Sequence, residues 1–217
     1  IVTGEMGATI AKYYGVEVVN VLTGFKNISA ISNLYEKTKE KQVLFGYEES
    51  IGYTAGTFVR DKDAVSSAML LTEAAAYYKT KGMTLIDVLQ QLFQTHSYFA
   101  EDTVSLIREG IRGQEEIQAI MRSYRTDYPK TIGSLSLVTY LDYAISESVD
   151  IKTQTVSKID IEPTNAIKFL FEDESWYALR PSGTEPKLKI YFGIKASSQK
   201  EADEKLKQFK STVLSLI

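Results

Sequence analysis

The first 45 residues switch hydrophobic period from helix to strand and back, and that alternation restricts the fold more than any other feature of the chain. Glu5 to Tyr14 reads as a helix ended by Gly15, and Val16 to Val21 as a short β-branched strand. Asn27 to Lys41 reads as an amphipathic helix, and Val43 to Phe45 as a short apolar strand. Strands alternating with helices predict right-handed crossovers and a parallel sheet. Two more helices are predicted, Asp61 to Lys81 and Thr84 to Thr95, the first closed by Gly82. In such a sheet ligands sit beyond the carboxyl ends of the strands, which singles out two loops, LTGFKN at 22–27 and GYEESIGY at 46–53.

The pattern loses regularity from Ser97 to Gly113, where Gly110 and Gly113 suit a hinge or linker. Beyond it come a short helix, Gln114 to Tyr124, strand-like stretches at 136–143, 166–171, 176–179 and 188–194, and a closing amphipathic helix, Gln199 to Leu216. Clustered strands then covered by helices predict a separate α+β domain. The expected fold is α/β plus α+β: residues 1–104 form an incomplete parallel-sheet three-layer domain, and 105–217 a smaller domain with an antiparallel sheet packed on helices. The opening IVTGEMGATIAKYYG lacks a starting Met and begins inside an element, which suggests a piece cut in mid-domain. The first sheet then lacks its first strand and helix, and its exposed edge is predicted to be covered by dimer or crystal contacts.

Composition narrows the chemistry. No cysteine is present, so disulfides and thiolate chemistry are excluded, in keeping with a cytoplasmic protein. The single histidine, His96, disfavours histidine triads and multi-histidine metal sites. A net charge of −3 supplies no field for nucleic acid, and no apolar run approaches the ~20 residues of a membrane span. Anion binding has to be local.

Such a local site is offered by RPSGTEP at 180–186, which holds two of the four prolines just before a strand. Arg180 can grip a phosphate with two hydrogen bonds, Ser182 and Thr184 add neutral donors, and Gly183 lets backbone approach an anion. Lys187 and Lys189 add charge if they point inward. The same residues also suit a tight turn with a solvated arginine. In GYEES, the carboxylates of Glu48 and Glu49 can accept from sugar hydroxyls while Ser50 donates or accepts, although solvated acids on a turn would look alike. In RDKDA, at 60–64, Asp61 is a reasonable helix N-cap, with Arg60 and Lys62 left free. Lys26 ends LTGFK and can reach the cleft of Glu48, as a phosphate ligand or proton carrier, or lie on the surface as an ordinary lysine.

Taken in this order, TGFK, GYEES, RDKDA and RPSGTEP resemble the α-D-phosphohexomutases, the phosphoglucomutase and phosphomannomutase family, specifically their third and fourth domains. The resemblance implies that Glu48 and Ser50 contact sugar hydroxyls, that Arg180, Ser182, Gly183 and Thr184 hold phosphate, and that Lys26, Arg60 and Lys187 line the cleft, with Lys26 a candidate for proton transfer. It implies reversible phosphate transfer between O1 and O6 of a hexose through a glucose 1,6-bisphosphate-type intermediate, resting on positioning and charge neutralisation. The Glu-Glu-Ser form of the sugar loop favours glucose phosphates.

The family's phosphoserine loop and its Asp-Gly-Asp-x-Asp-Arg magnesium loop, both from the first two domains, do not occur in this sequence. The expectation is therefore a mutase parent that uses Mg2+, and a fragment that recognises substrate, binds no cofactor and is inactive without the missing N-terminal domains. The rival reading is a non-catalytic phosphate- or sugar-phosphate-binding module.

Overall fold

The computed structural model describes residues 1–183 and 185–217, with Ile111 described by its backbone only. The chain divides into two compact units, Ile1–His96 and Ser97–Ile217. The first contains α1 (Met6–Tyr13), α2 (Phe25–Thr38), β1 (Phe45–Glu48), β2 (Gly52–Ala55), α3 (Ala64–Lys79) and α4 (Leu85–His96). The second contains β3 (Tyr98–Ile107), α5 (Gly110–Thr126), β4 (Thr131–Ile132), β5 (Leu135–Asp142), β6 (Glu147–Asp150), β7 (Val156–Lys158), β8 (Ile167–Phe171), β9 (Trp176–Pro181), β10 (Lys187–Ala196) and α6 (Gln199–Ser215). No described helix is long and apolar enough to cross a membrane.

The mixed α/β class holds, but the strand pairing in the first unit differs from expectation. β1 and β2 form an antiparallel hairpin, Phe45 opposite Ala55 and Glu48 opposite Gly52, and no parallel pair forms among the described residues. Val16 to Val21 carries no strand. β-branched residues favour extended backbone, yet a strand exists only where a neighbour meets its N–H and C=O groups. The helices follow the predicted order with shifted ends. α3 is capped by Asp63, whose side chain accepts from the Val65 and Ser66 amides, and not by Asp61. His96 ends α4 buried at 7% exposure, edge-on to Tyr13 with centroids 4.8 Å apart.

In the second unit an antiparallel sheet runs β3-β10-β9-β8-β5-β6-β7, with β4 paired to β5. The stretch expected to be an irregular hinge is instead β3, which pairs with β10 along its whole length, from Lys187 opposite Ile107 to Ala196 opposite Tyr98. That pairing places the division at His96/Ser97, upstream of the expected 104/105. Gly110 and Gly113, which suggested a hinge, lie beyond β3 in the first turn of α5, and the partner strand, far away in sequence, makes 98–107 a strand. One sheet face packs on α5 and α6, burying Met121, Phe169, Tyr177, Leu179, Ile190, Phe209 and Val213. Each such side chain contributes about 1.5–3 kcal/mol on burial. Lys210 of α6 pairs with Asp102 of β3 at 2.5 Å, and its ammonium holds that carboxyl below the ordinary range. α6 itself starts at Ser198, whose hydroxyl accepts from the Glu201 amide.

Candidate functional site

Two groups of the residues singled out in the sequence assemble, one in each unit. In the first, the hairpin turn Glu49-Ser50-Ile51 brings Ser50 back over Glu48. The Ser50 hydroxyl donates to Glu48 Oε1 at 3.0 Å, and the Lys62 ammonium reaches the same oxygen at 2.5 Å. Oε2 accepts from the Gly24 amide at 3.3 Å. Gly24 is the N-cap of α2 and sits at φ 103°, a region that favours glycine. Asn27 fixes this loop by donating to the Leu22 and Thr23 carbonyls. The Glu48 side chain is only 10% exposed. Desolvation pushes its carboxyl up, but the bonds from Lys62, Ser50 and Gly24 outweigh that and leave it below the ordinary value.

Lys26 occupies the first turn of α2, two residues past the Gly24 amide, and is exposed with no ion-pair partner among the described residues. Arg60 does not stand free. Its guanidinium is held by Asn33 and Glu36 of α2, while its carbonyl accepts from the Ser29 hydroxyl at 2.6 Å. Two residues on, the chain turns so that Lys62, not Arg60, reaches Glu48. Sequence periodicity carries no signal for this exchange, because both cations precede the helix.

In the second unit the phosphate-loop candidates form the β9–β10 turn. The Ser182 amide donates to the Lys187 carbonyl at 2.8 Å, the Glu185 amide to the Ser182 hydroxyl at 3.3 Å, and the Arg108 amide to the Pro186 carbonyl at 2.9 Å. Lys187 is paired with Glu185 at 2.8 Å, which holds that carboxyl down. Thr184 lies outside the described residues. Directly across the ladder from Arg180 stands Lys189. Two like charges facing each other on one sheet face destabilise a pair of strands. Neither forms an ion pair among the described residues. An arrangement that costs stability at rest and leaves a planar fork unpaired is suited to an incoming anion.

Gly183 adds to this. Its φ lies outside the left-handed region, and a Cβ there would meet nothing within 4 Å, so neither backbone nor packing demands glycine. Replacing Gly183 by alanine is expected to leave the thermal midpoint unchanged while weakening inorganic phosphate several-fold in calorimetric titration, since only an approaching anion meets the added methyl. Among the described residues no three His, Cys, Asp or Glu side chains are grouped to hold a metal.

An antiparallel sheet carrying an arginine-serine turn, preceded by an α/β unit with a carboxylate held by three donors, defines a two-unit mixed α/β class of protein. The family model "Phosphoglucomutase/phosphomannomutase, alpha/beta/alpha domain III" matches residues 1–96, and "Phosphoglucomutase/phosphomannomutase, C-terminal domain" matches 141–210. The chain belongs to the phosphoglucomutase/phosphomannomutase family. Phosphoglucomutases of Staphylococcus aureus strains MRSA252 and USA300 are each 37% identical to it over 206 residues, covering 95% of this chain. The chain spans 37% of the length of those relatives. Among solved structures, the open form of the exocytosis-sensitive phosphoprotein pp63/parafusin, a phosphoglucomutase from Paramecium, shares the fold. It has a TM-score of 0.67 and 20% identity, over 96% of this chain and 35% of that one.

Proposed function

We propose that this chain recognises hexose phosphates for a phosphohexomutase, glucose phosphates foremost, with the Glu48–Ser50 turn taking sugar hydroxyls and the Arg180–Ser182 turn taking the phosphate. The Arg180 guanidinium, facing Lys189 and without an ion pair among the described residues, is the observation that carries this reading. Arg180, Ser182 and Gly183 bind and orient the phosphoryl oxygens, and Thr184 is assigned to the same cradle from its place in the motif. Glu48 accepts from a hydroxyl, which Ser50 can accept or donate to in turn. Lys26, exposed in the first turn of α2, is assigned proton transfer. Arg60 is tied at rest to α2 through Glu36, and Lys187 to Glu185 within the β9–β10 turn.

In the parent enzyme the reaction is reversible transfer between O1 and O6 through a bisphosphorylated sugar. Magnesium, when bound, neutralises charge on the transferring group. We assign the magnesium and phosphoserine loops to other parts of the parent polypeptide, and this chain by itself is expected to bind without turnover. Calorimetric titration with glucose 1-phosphate, glucose 6-phosphate and inorganic phosphate tests the reading. Glu48→Ala should weaken both sugar phosphates about tenfold or more and leave inorganic phosphate unchanged, because a hydrogen bond to a charged group contributes about 1.5–3 kcal/mol. Equal binding of all three ligands by the parent chain would favour a plain phosphate-binding module instead.

A further inference from the structure

The arrangement around Glu48 contains one group that the hydroxyl-binding role does not by itself require. We propose that Lys62 is a positioning residue for the Glu48 carboxylate, its ammonium delivered across the bare α-carbon of Gly52. This rests on the hydroxyl-binding reading of Glu48 given above.

Gly52 stands directly opposite Glu48 in the β1–β2 ladder. Its φ is not left-handed, so the backbone does not ask for glycine. A Cβ at Gly52 would lie 2.7 Å from Cδ and Cε of Lys62 and 2.9 Å from its Cγ. The space a side chain would fill is therefore taken by the lysine stem, and that path ends with Nζ 2.5 Å from Glu48 Oε1. Lys62 is still 41% exposed, whereas the carboxylate it meets is nearly buried. A carboxylate that far out of water needs a counter-charge or it takes up a proton.

Geometry also fixes what remains available. An ionised carboxylate offers about four acceptor sites. Lys62 and Ser50 occupy Oε1, and the Gly24 amide occupies one site on Oε2. The remaining site lies on Oε2, beside the N-terminus of α2, and its direction is set because three donors hold the carboxylate plane. Without Lys62 the plane is free to turn about Ser50 and the Gly24 amide, and the hydroxyl loses a defined acceptor.

The pH consequence follows from the groups facing Glu48. These are Lys62 from the segment before α3, Ser50 on the hairpin, and the Gly24 amide at the start of α2. The carboxyl of Glu48 is depressed in the folded protein, so hydroxyl binding persists into the ordinary carboxylate range and is lost only as pH falls through the lower, folded value. Removing the ammonium raises that folded value, and binding then fails at a higher pH.

The test is a carboxyl-carbon NMR titration of Glu48 in the 217-residue chain, with glucose 6-phosphate titrated calorimetrically across the same pH range. Lys62→Met removes the charge. Gly52→Ala keeps every charge but displaces the flexible stem, so the fold is expected to survive, as circular dichroism would verify. Both variants should raise the Glu48 midpoint, and the pH of half-maximal sugar-phosphate binding should rise by the same interval, while Lys62→Arg restores both toward the parent values. An unchanged Glu48 midpoint in either Lys62→Met or Gly52→Ala overturns the proposal, whatever ligands bind. A raised midpoint in both, with no glucose 6-phosphate bound by any form, supports the lysine clamp and overturns the hydroxyl-binding reading alone.

Discussion

Replacing Arg180 by alanine is expected to weaken glucose 1-phosphate, glucose 6-phosphate and inorganic phosphate alike, by about 10- to 150-fold, with no loss of stability. The size follows from losing a charge-assisted contact of about 1.5–3 kcal/mol. Its uniformity follows from phosphate being the part common to all three ligands. Stability is spared because the guanidinium has no ion-pair partner among the described residues, and removing it relieves its opposition to Lys189. Arg180→Lys should recover only part of the affinity, since an ammonium supplies the charge without the planar fork. Retention of full phosphate affinity by Arg180→Ala would remove this turn from the binding site.

The largest effect on stability is expected from Phe169→Ala, at about 3–5 kcal/mol. Phe169 is fully buried on β8 and stacks on Tyr177 at 4.6 Å, with Tyr140, Tyr128 and Tyr124 packed around it at 5.5, 5.7 and 6.0 Å. Those partners belong to four other segments, so the cavity left by truncation is walled by groups with little freedom to collapse. The only tryptophan, Trp176, lies buried on the neighbouring β9, so its fluorescence in a urea titration reports the second unit without contribution from the first. A transition at the parent urea concentration would show that Phe169 does not sit at the centre of this core.

Much of the second unit was legible locally. The apolar stretches at 166–171, 176–179 and 188–194 became β8, β9 and β10, and the amphipathic pattern from Gln199 became α6. There the burial pattern and the local propensity agree, which is the condition under which periodicity reports structure. The short strands β6 and β7 gave no such signal, because Glu147–Asp150 and Val156–Lys158 are polar or exposed and are defined by pairing alone. Pairing likewise decides β3, whose sequence holds no glycine or arginine and whose neighbours Gly110 and Gly113 belong to α5, and it decides against Val16 to Val21, which joins no sheet.

For the candidate site the division is similar. The identities of Glu48, Ser50, Arg180, Ser182 and Gly183 were determined by the sequence, since motif chemistry depends on residue type and spacing within a single turn. The sequence by itself also determined the helix order and the apolar strands of the second unit. Only the tertiary structure decided that Lys62 rather than Arg60 meets Glu48, that Asp63 rather than Asp61 caps α3, and that Lys189 faces Arg180. The first and last of those outcomes turn on distances between segments that share no local pattern, and two residues of offset along a turning chain exchange a cation that meets Glu48 for one tied to a helix.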